Sequence, residues 1–480
     1  MQPAGSGKDR DDDVVPWRRQ QIHGMRKLIV VLALAGLSVA ACGGSTATPA
    51  PTAAPPASTT PGQSTAPAES SAPALSGTVR VLVHQNPPFV DFMNAYNTKF
   101  EAAHPGVKVD MAVVNANDLG TSTQTRLTAN DVDVIDIFSF SNGVQPYMKN
   151  VNPPGWQSLI DAGLLLDISD QAFVKNYDAA AIADAGTYNG KVYSVNLGRV
   201  GFSGIYYNKD LFAANNVAVP TTWTELVAAC KTLTAASIPC MTAGGKDGWP
   251  IFVGAYGLFG ANYPDQAQLV QDLWEGKVKY TDQAFVDLLA KTQIYNRDMM
   301  ESGAAGLAAD AAPGRFASGA VAMFPGGTWY GPAIEAAKPA FKWGYIPFPG
   351  SDNAADNKYM FGKYDQGWAI AANTPNKDAA TAYLAEFSDP ANYQAFVTAV
   401  GVIPTQPGAK LDTAIGAELA PYLANFRLGF ELVWVAPKGA GQFASPMQNN
   451  MFKPFGTFED PAAAATQAQA DLQSGLDAAK

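Results

Sequence analysis

The chain has 480 residues, 47% of them hydrophobic, and a formal charge of −10. That length exceeds one ordinary domain and predicts two, with enough apolar residues for a sizeable core. The acidic balance argues against a general nucleic-acid binder, and no basic run survives into the body of the chain.

Met25, Arg26 and Lys27 followed by the apolar run Leu28–Val39 read as a secretion signal. Its hydrophobic stretch is too short to span a bilayer comfortably. Val39-Ala40-Ala41-Cys42 resembles the bacterial lipobox, in which the cysteine is lipidated and becomes the new N-terminus. An ordinary cleaved signal or a signal anchor is the competing reading. Asp9 and Asp11–Asp13 sit badly in front of a signal, and the surroundings of Arg18-Arg19 fit a twin-arginine export signal poorly. Met25 is therefore the expected start, with 1–24 an upstream mis-start, and 1–41 is expected to be absent from the mature chain. Residues 42–76 then comprise a lipidated Cys42 and a Ser/Thr/Ala/Pro/Gly tether with too few large apolar side chains to pack. An anchor of this kind implies a body working just outside the bacterial cytoplasmic membrane.

Thr78–Val83 alternates as a strand. Phe89, Met93, Tyr96 and Phe100 recur at helical spacing until His104-Pro105-Gly106 stops the helix. Val107–Val114 reads as a second strand, Thr121–Asn130 as a short helix, and Val132–Phe140 as an apolar third strand interrupted by Asp133 and Asp136. This βαβαβ order implies a parallel sheet covered by helices, with ligands bound beyond the C-terminal strand ends. Those ends are His84-Gln85-Asn86 and Ser139-Phe140-Ser141-Asn142, and turn or N-cap chemistry is their competing role. Asn189-Gly190 reads as a turn, Lys191–Val195 and Gly201–Tyr207 as strands, and Thr222 or Thr224 as the cap of a following helix. Cys230 and Cys240 are expected to pair as a disulfide outside the cytoplasm, with two buried free thiols as the alternative. Gly314–Gly331 begins as a short helix and becomes an apolar strand over Ala320–Phe324. It then turns through Pro325-Gly326-Gly327 into Trp329-Tyr330. The glycines permit close backbone approach, and burial statistics alone favour Trp329 as core. Asp460 and Pro461 open a terminal helix over Pro461–Ala479.

NGKVYSVN at 189–196, YYNKDLF at 206–212 and TWTEL at 222–226 follow one another in an order that resembles the extracellular solute-binding proteins of ABC importers. The closest similarity is to the carbohydrate-binding family that includes maltose-binding protein. AMFPGGTW at 322–329, GYIPFPG at 344–350, WAIAANTPNKDAATAYLAEF at 368–387 and GVIP at 401–404 continue the order. The resemblance implies an α/β fold of two lobes around a cleft, the type II periplasmic-binding-protein fold, joined by hinge segments that the chain crosses three times. It implies lobe 1 at 78–194 and 361–410, lobe 2 at 195–347 and 411–480, and a hinge or loop at 348–360. Lobe closure around the ligand is a hinge motion.

A search for catalysis finds no G-x-S-x-G elbow, no H-E-x-x-H and no P-loop lysine pattern. His84 and His104 are the only histidines after residue 41, which supports neither a Ser-His-Asp triad nor a zinc site. Paired carboxylates for glycoside hydrolysis remain open, because any acidic chain offers pairs. Binding a sugar needs aromatic rings for its C–H faces and planar polar side chains for its hydroxyls. By family position the resemblance implies contacts from Asn86, Phe140, Ser141 and Asn142 in lobe 1, and from Asp247, Trp249 and Trp329 in lobe 2. Asp365 and Gln366 are expected at the cleft edge, Arg199 on the crossing strand, and Trp434 and Phe443 from the late segment. The expectation is a monomeric, non-enzymatic receptor without cofactor or metal, delivering a sugar to an ABC permease. A charged solute such as a polyamine is the main alternative and a secreted hydrolase the remote one.

Overall fold

Val79, Val81, Leu82 and Val83 all lie on β1 (Gly77–His84) and all are fully buried, so both faces of this strand are covered. That is the signature of a central parallel strand. In the computed structural model, which describes residues 74–138, 144–441, 444 and 460–480, β1 runs parallel to β2 (Val107–Val114) on one side and β3 (Val134–Ile137) on the other. The sheet continues antiparallel through β12 (Gly367–Ile370) to β6 (Val195–Asn196). The helix Pro87–Ala103 sets Phe89, Met93, Tyr96 and Phe100 on this sheet, in a core shared with Trp368, Tyr383, Phe387 and Phe396. Cys42, Phe140, Ser141, Asn142 and Phe443 lie outside the described residues.

Three strand expectations change in detail. The third strand is Val134–Ile137 among the described residues, starting two residues later than expected, and the expected end at Phe140 lies outside the described residues. Buried Asp133 takes Arg80 Nη2 at 2.7 Å and Thr374 Oγ1 at 2.6 Å, while Asp136 pairs with His84. Lys191–Val195 is not one strand. β4 (Thr187–Tyr188) and β5 (Lys191–Val192) form a hairpin through Asn189 and Gly190, whose φ of 50° and 75° place both in the left-handed region. Gly201–Tyr207 divides into β7 (Arg199–Gly201) and β8 (Gly204–Asn208), which join different sheets.

β8 lies between β9 (Met323–Pro325) and β10 (Trp343–Pro347), antiparallel to both. β11 (Met360–Tyr364) lies between β7 and β13 (Phe426–Leu428). The β6–β7 and β11–β12 connections carry the chain between the five-stranded sheet and the sheet of β7, β11 and β13. The sheets have separate apolar cores, one built on Val81, Trp368 and Phe396, another on Ile205, Phe259 and Phe285. The architecture is α/β with two lobes. Trp329 is packed against three of its core clusters, including one on each of these two groups.

Thr222 caps the helix Trp223–Ala235 through Glu225 N, and Cys230 of that helix is disulfide-bonded to Cys240. Asp460 accepts from Ala462 N and Ala463 N and starts the helix Pro461–Ala478. Among the described residues, no helix is long and apolar enough to cross a membrane.

Candidate ligand-binding cleft

The Gly-Gly turn after β9 is fixed by hydroxyls buried in the adjacent strands. Tyr345 Oη donates to the Gly326 carbonyl at 2.9 Å, and Tyr206 Oη to the Gly327 carbonyl at 3.0 Å. Gly201 N donates to Thr328 Oγ1 at 3.2 Å, tying the turn to the crossing strand β7. Such fixed carbonyls leave the short 3₁₀ turn Thr328–Tyr330 one conformation, and it delivers Trp329 and Tyr330 to a cavity of about 420 Å³. Trp249 joins them from the turn after Gly248, where φ is +79° and glycine is required. Its ring lies 5.9 Å from that of Trp329 and is stacked on Tyr330 at 6.4 Å and 6°. Three rings thus form one wall of a concave site.

The opposite wall starts at the C-terminal end of β1. His84 is buried, its backbone N–H donates to Asp136 Oδ2 at 3.2 Å, and its Nδ1 is hydrogen-bonded to the same oxygen. Burial opposes a charge on the imidazole, but the charge and hydrogen bond of Asp136 outweigh it, so the His84 pKa is raised. Asn86 sits at the N-cap of Pro87–Ala103 yet makes no capping bond, which leaves its amide to the cavity it lines. Phe138 adds a ring 5.4 Å from His84.

The floor comes from the end of β11. Lys363 and Asp365 are two apart on an extended chain and share a face, with Nζ 3.4 Å from Oδ1. Lys363 also lies over the Phe138 ring at 5.1 Å. Its burial disfavours the ammonium, yet the charges of Glu431 and Asp365 hold its pKa above the ordinary value. Asp310 and Glu431 complete the polar lining. Across the mouth, Asn117 Nδ2 donates to the Asp247 carbonyl at 3.5 Å.

Of the expected contacts, the cavity therefore brings together Asn86, Trp249, Trp329 and Asp365. Four others do not line it. Asp247 Oδ2 is spent on Ala309 N at 2.7 Å, stabilising the neighbouring turn. Gln366 is enclosed behind Asp365, its carbonyl accepting from Leu197 N. Arg199 lies over Phe426 at 5.2 Å, and Trp434 stacks on Phe430 at 5.1 Å in the second core. Only the Asp247 carboxylate is satisfied in this way, since buried polar atoms of the Gln366, Arg199 and Trp434 side chains lack a hydrogen-bond partner. Sequence reasoning did not select His84, Phe138, Tyr330, Asp310, Lys363 or Glu431. His84 stood beside a selected residue, and Lys363 was findable as the i−2 neighbour of Asp365. Asp310 and Glu431 arrive from the short helices Ala309–Ala311 and Phe430–Val433, with no local signal. Among the described residues, no group of three or more His, Cys, Asp or Glu side chains is placed to hold a metal ion.

Residues 86–394 match the family model for bacterial extracellular solute-binding proteins. The chain is 28% identical over 295 residues to the multiple sugar-binding protein of Streptococcus mutans, an alignment covering 59% of this chain and 65% of that relative. The chain thus spans just under two thirds of that protein's length. Among solved structures, the solute-binding protein RafE in complex with raffinose superposes with a TM-score of 0.68 at 23% identity, over 83% of this chain and 99% of RafE. The GacH receptor of Streptomyces glaucescens, solved unliganded and with acarbose, gives 0.64 at 19% identity over 85% and 100%. At these identities the structural likeness establishes the fold. The family match covers well over half of the 480 residues, and the protein belongs to the bacterial extracellular solute-binding protein family.

Proposed function

We propose that the protein is the extracytoplasmic substrate-binding component of an ABC importer, and that it binds a sugar or oligosaccharide in the cleft and delivers it to the permease. The observation that carries this reading is the pairing of the Trp249–Trp329–Tyr330 wall with the hydrogen-bonding groups of His84, Asn86 and Asp365 in one cavity. Ring faces match the C–H faces of a pyranose, and the polar groups match its hydroxyls. Leaving a buried hydroxyl unpaired costs about 1–3 kcal/mol, so the polar set confers specificity. The names of similar proteins, which refer to multiple sugars, raffinose and acarbose, support the same ligand class.

In this reading the body is a monomer tethered by lipid on Cys42 to the outer face of the bacterial cytoplasmic membrane. Segments 78–194 with 361–410 and 195–347 with 411–480 are its lobes, with 348–360 as hinge or loop, and no catalytic step is involved. A thermal-shift screen of mono- and oligosaccharides tests it, because a ligand that binds only the folded state raises the melting temperature by mass action. The expected result is a saturable shift with at least one oligosaccharide, accompanied by a change in tryptophan fluorescence. No shift with any sugar, or turnover of one, overturns the reading.

A further inference from the structure

The two tryptophans of the wall hang from one short segment, Pro239–Thr242, which lies between β9 and the chain at Met299–Glu301 and bonds to both. Towards β9, Ala322 N donates to the Pro239 carbonyl at 3.0 Å, Met323 N to the Cys240 carbonyl at 2.8 Å and Thr242 N to the Met323 carbonyl at 3.2 Å. On the other side, Met241 N donates to the Met299 carbonyl at 3.0 Å and Glu301 N to the Met241 carbonyl at 2.8 Å. Met241 thus bridges in parallel to Met300 and to Met323. Both indoles start from this frame. β9 leads through the Gly-Gly turn to Trp329, and Thr242 leads through Gly244 and Gly248 to Trp249. The second path is tight. A Cβ on Gly244 would stand 2.4 Å from Ala309 Cα, and Lys246 N donates to the Leu307 carbonyl at 3.0 Å.

A separate observation concerns what holds the frame itself. Cys240 is bonded to Cys230 of the helix Trp223–Ala235, and both cysteines are buried. Beside Cys230 the packing is open. A second cavity of about 430 Å³ lies between that helix and the chain at Ile294–Met299, lined among others by Cys230, Thr234, Ile294 and Met299. Side chains that border a void lose dispersion contacts on that side, so the disulfide joins helix to frame where packing is thinnest. A cross-link restrains the folded chain as well as the unfolded one, and a site already held in its bound geometry binds more tightly.

We propose that the Cys230–Cys240 disulfide is a positioning element of the binding site. It fixes the base from which Trp249 and Trp329 are presented, so its loss lowers ligand affinity as well as stability. The proposal rests on the sugar-binding reading above for its ligand, and on the backbone bonds of Pro239–Thr242 for its mechanism. Two measurements on the double variant Cys230→Ser, Cys240→Ser test it, both well below the melting temperature. Hydrogen exchange needs no ligand. The amides of Thr242, Ala322 and Met323 are expected to exchange about tenfold faster than in wild type, and those of β1 and β2 at the same rate. Isothermal titration with the sugar found by thermal shift is expected to show an affinity about fivefold weaker or worse. Asp133→Ala, which destabilises the five-stranded sheet instead, is expected to keep wild-type affinity and separates positioning from general destabilisation. Unchanged exchange at the three amides overturns the proposal whether or not any sugar binds. Faster exchange with unaltered affinity also overturns it and leaves the bond a purely structural one. An equal affinity loss in Asp133→Ala overturns it in favour of general destabilisation. Where no sugar binds either protein, the sugar reading falls, and the exchange result alone supports or overturns the anchoring of the wall.

Discussion

The indole of Trp329 lies across the backbone of Gly327 so closely that a Cβ on Gly327 would fall within the ring. The φ of Gly327 is −74°, which any residue adopts, so the position requires glycine for space and not for conformation. The turn and the ring it presents are therefore one unit. The Tyr206 and Tyr345 hydroxyls hold the carbonyls, and the missing side chain leaves room for the indole.

Gly327→Ala is expected to push the Trp329 ring out of place. The crowding should lower stability by about 1–3 kcal/mol and weaken ligand binding at the same time. Urea unfolding and a titration with the sugar found by thermal shift measure the two effects. Unaltered affinity would separate the glycine from ring placement.

Trp329→Ala removes the ring and leaves the turn. Its expected effect is a loss of affinity of at least tenfold, about 1.4 kcal/mol. The same substitution should diminish the ligand-induced fluorescence change. Wild-type affinity would take Trp329 out of the site.

His84 gives stability a dependence on pH. Its folded pKa is raised, so its stabilising contribution is fully present below the unfolded value of about 6.5 and is lost as pH rises through the folded value. The groups that face it are Asp136, Asp365 and Asp310, with Lys363 opposing. The stability difference between wild type and His84→Gln should therefore shrink from about pH 6 to about pH 9. A constant difference across that window would mean that the imidazole carries no charge.

The Arg80–Asp133 clamp acts at the other end of the scale. Burial raises the Asp133 pKa, but bonds from Arg80 and Thr374 outweigh it, and the net folded pKa is lowered. Its contribution is present above about pH 3.9 and lost as pH falls through the folded value. Asp133→Ala leaves Arg80 with only the Asn130 carbonyl and the exposed Asp131 as partners and should cost about 1–3 kcal/mol at neutral pH. Denaturant midpoints at pH 7 and pH 3 test both the size and the direction. Equal losses at the two pH values would contradict the assignment.

The Cys230–Cys240 bond closes a loop with a sequence separation of 10. Loop-entropy reasoning gives about 2–3 kcal/mol for a loop of this size. The double variant Cys230→Ser, Cys240→Ser should lose this amount in denaturant unfolding, and reductant should have no further effect on it. Wild-type stability in the double variant would show that the bond contributes nothing.

Much of the first lobe's sheet was readable in advance. Thr78–Val83 and Val107–Val114 lie within the observed strands or match them, and Phe89, Met93, Tyr96 and Phe100 face the core as their spacing predicts. Strands broken by side-chain chemistry were less legible. Val132–Phe140 reads as one apolar run, yet its two acids bond to Arg80 and His84 of β1, and among the described residues the strand is Val134–Ile137. Trp329 and Asp365 lay beside motifs that could be placed by order. Gln366 and Arg199 lay beside them too, and neither lines the cavity.

The sequence by itself determined the period of the long elements, a cap at Thr222 or Thr224 and another at Asp460, the glycine turn before Trp329 and the acidic balance of the chain. These are local properties, written in residues a few positions apart. Only the tertiary structure decided that Asp310 and Glu431 stand in one cavity with His84 and Lys363. Those four side chains come from separate segments, and charge interactions depend on distance and desolvation, neither of which is encoded in sequence spacing. The same holds for Trp329. Its sequence position gave the turn, and the packing of three distant cores around it gave the ring its place in the wall.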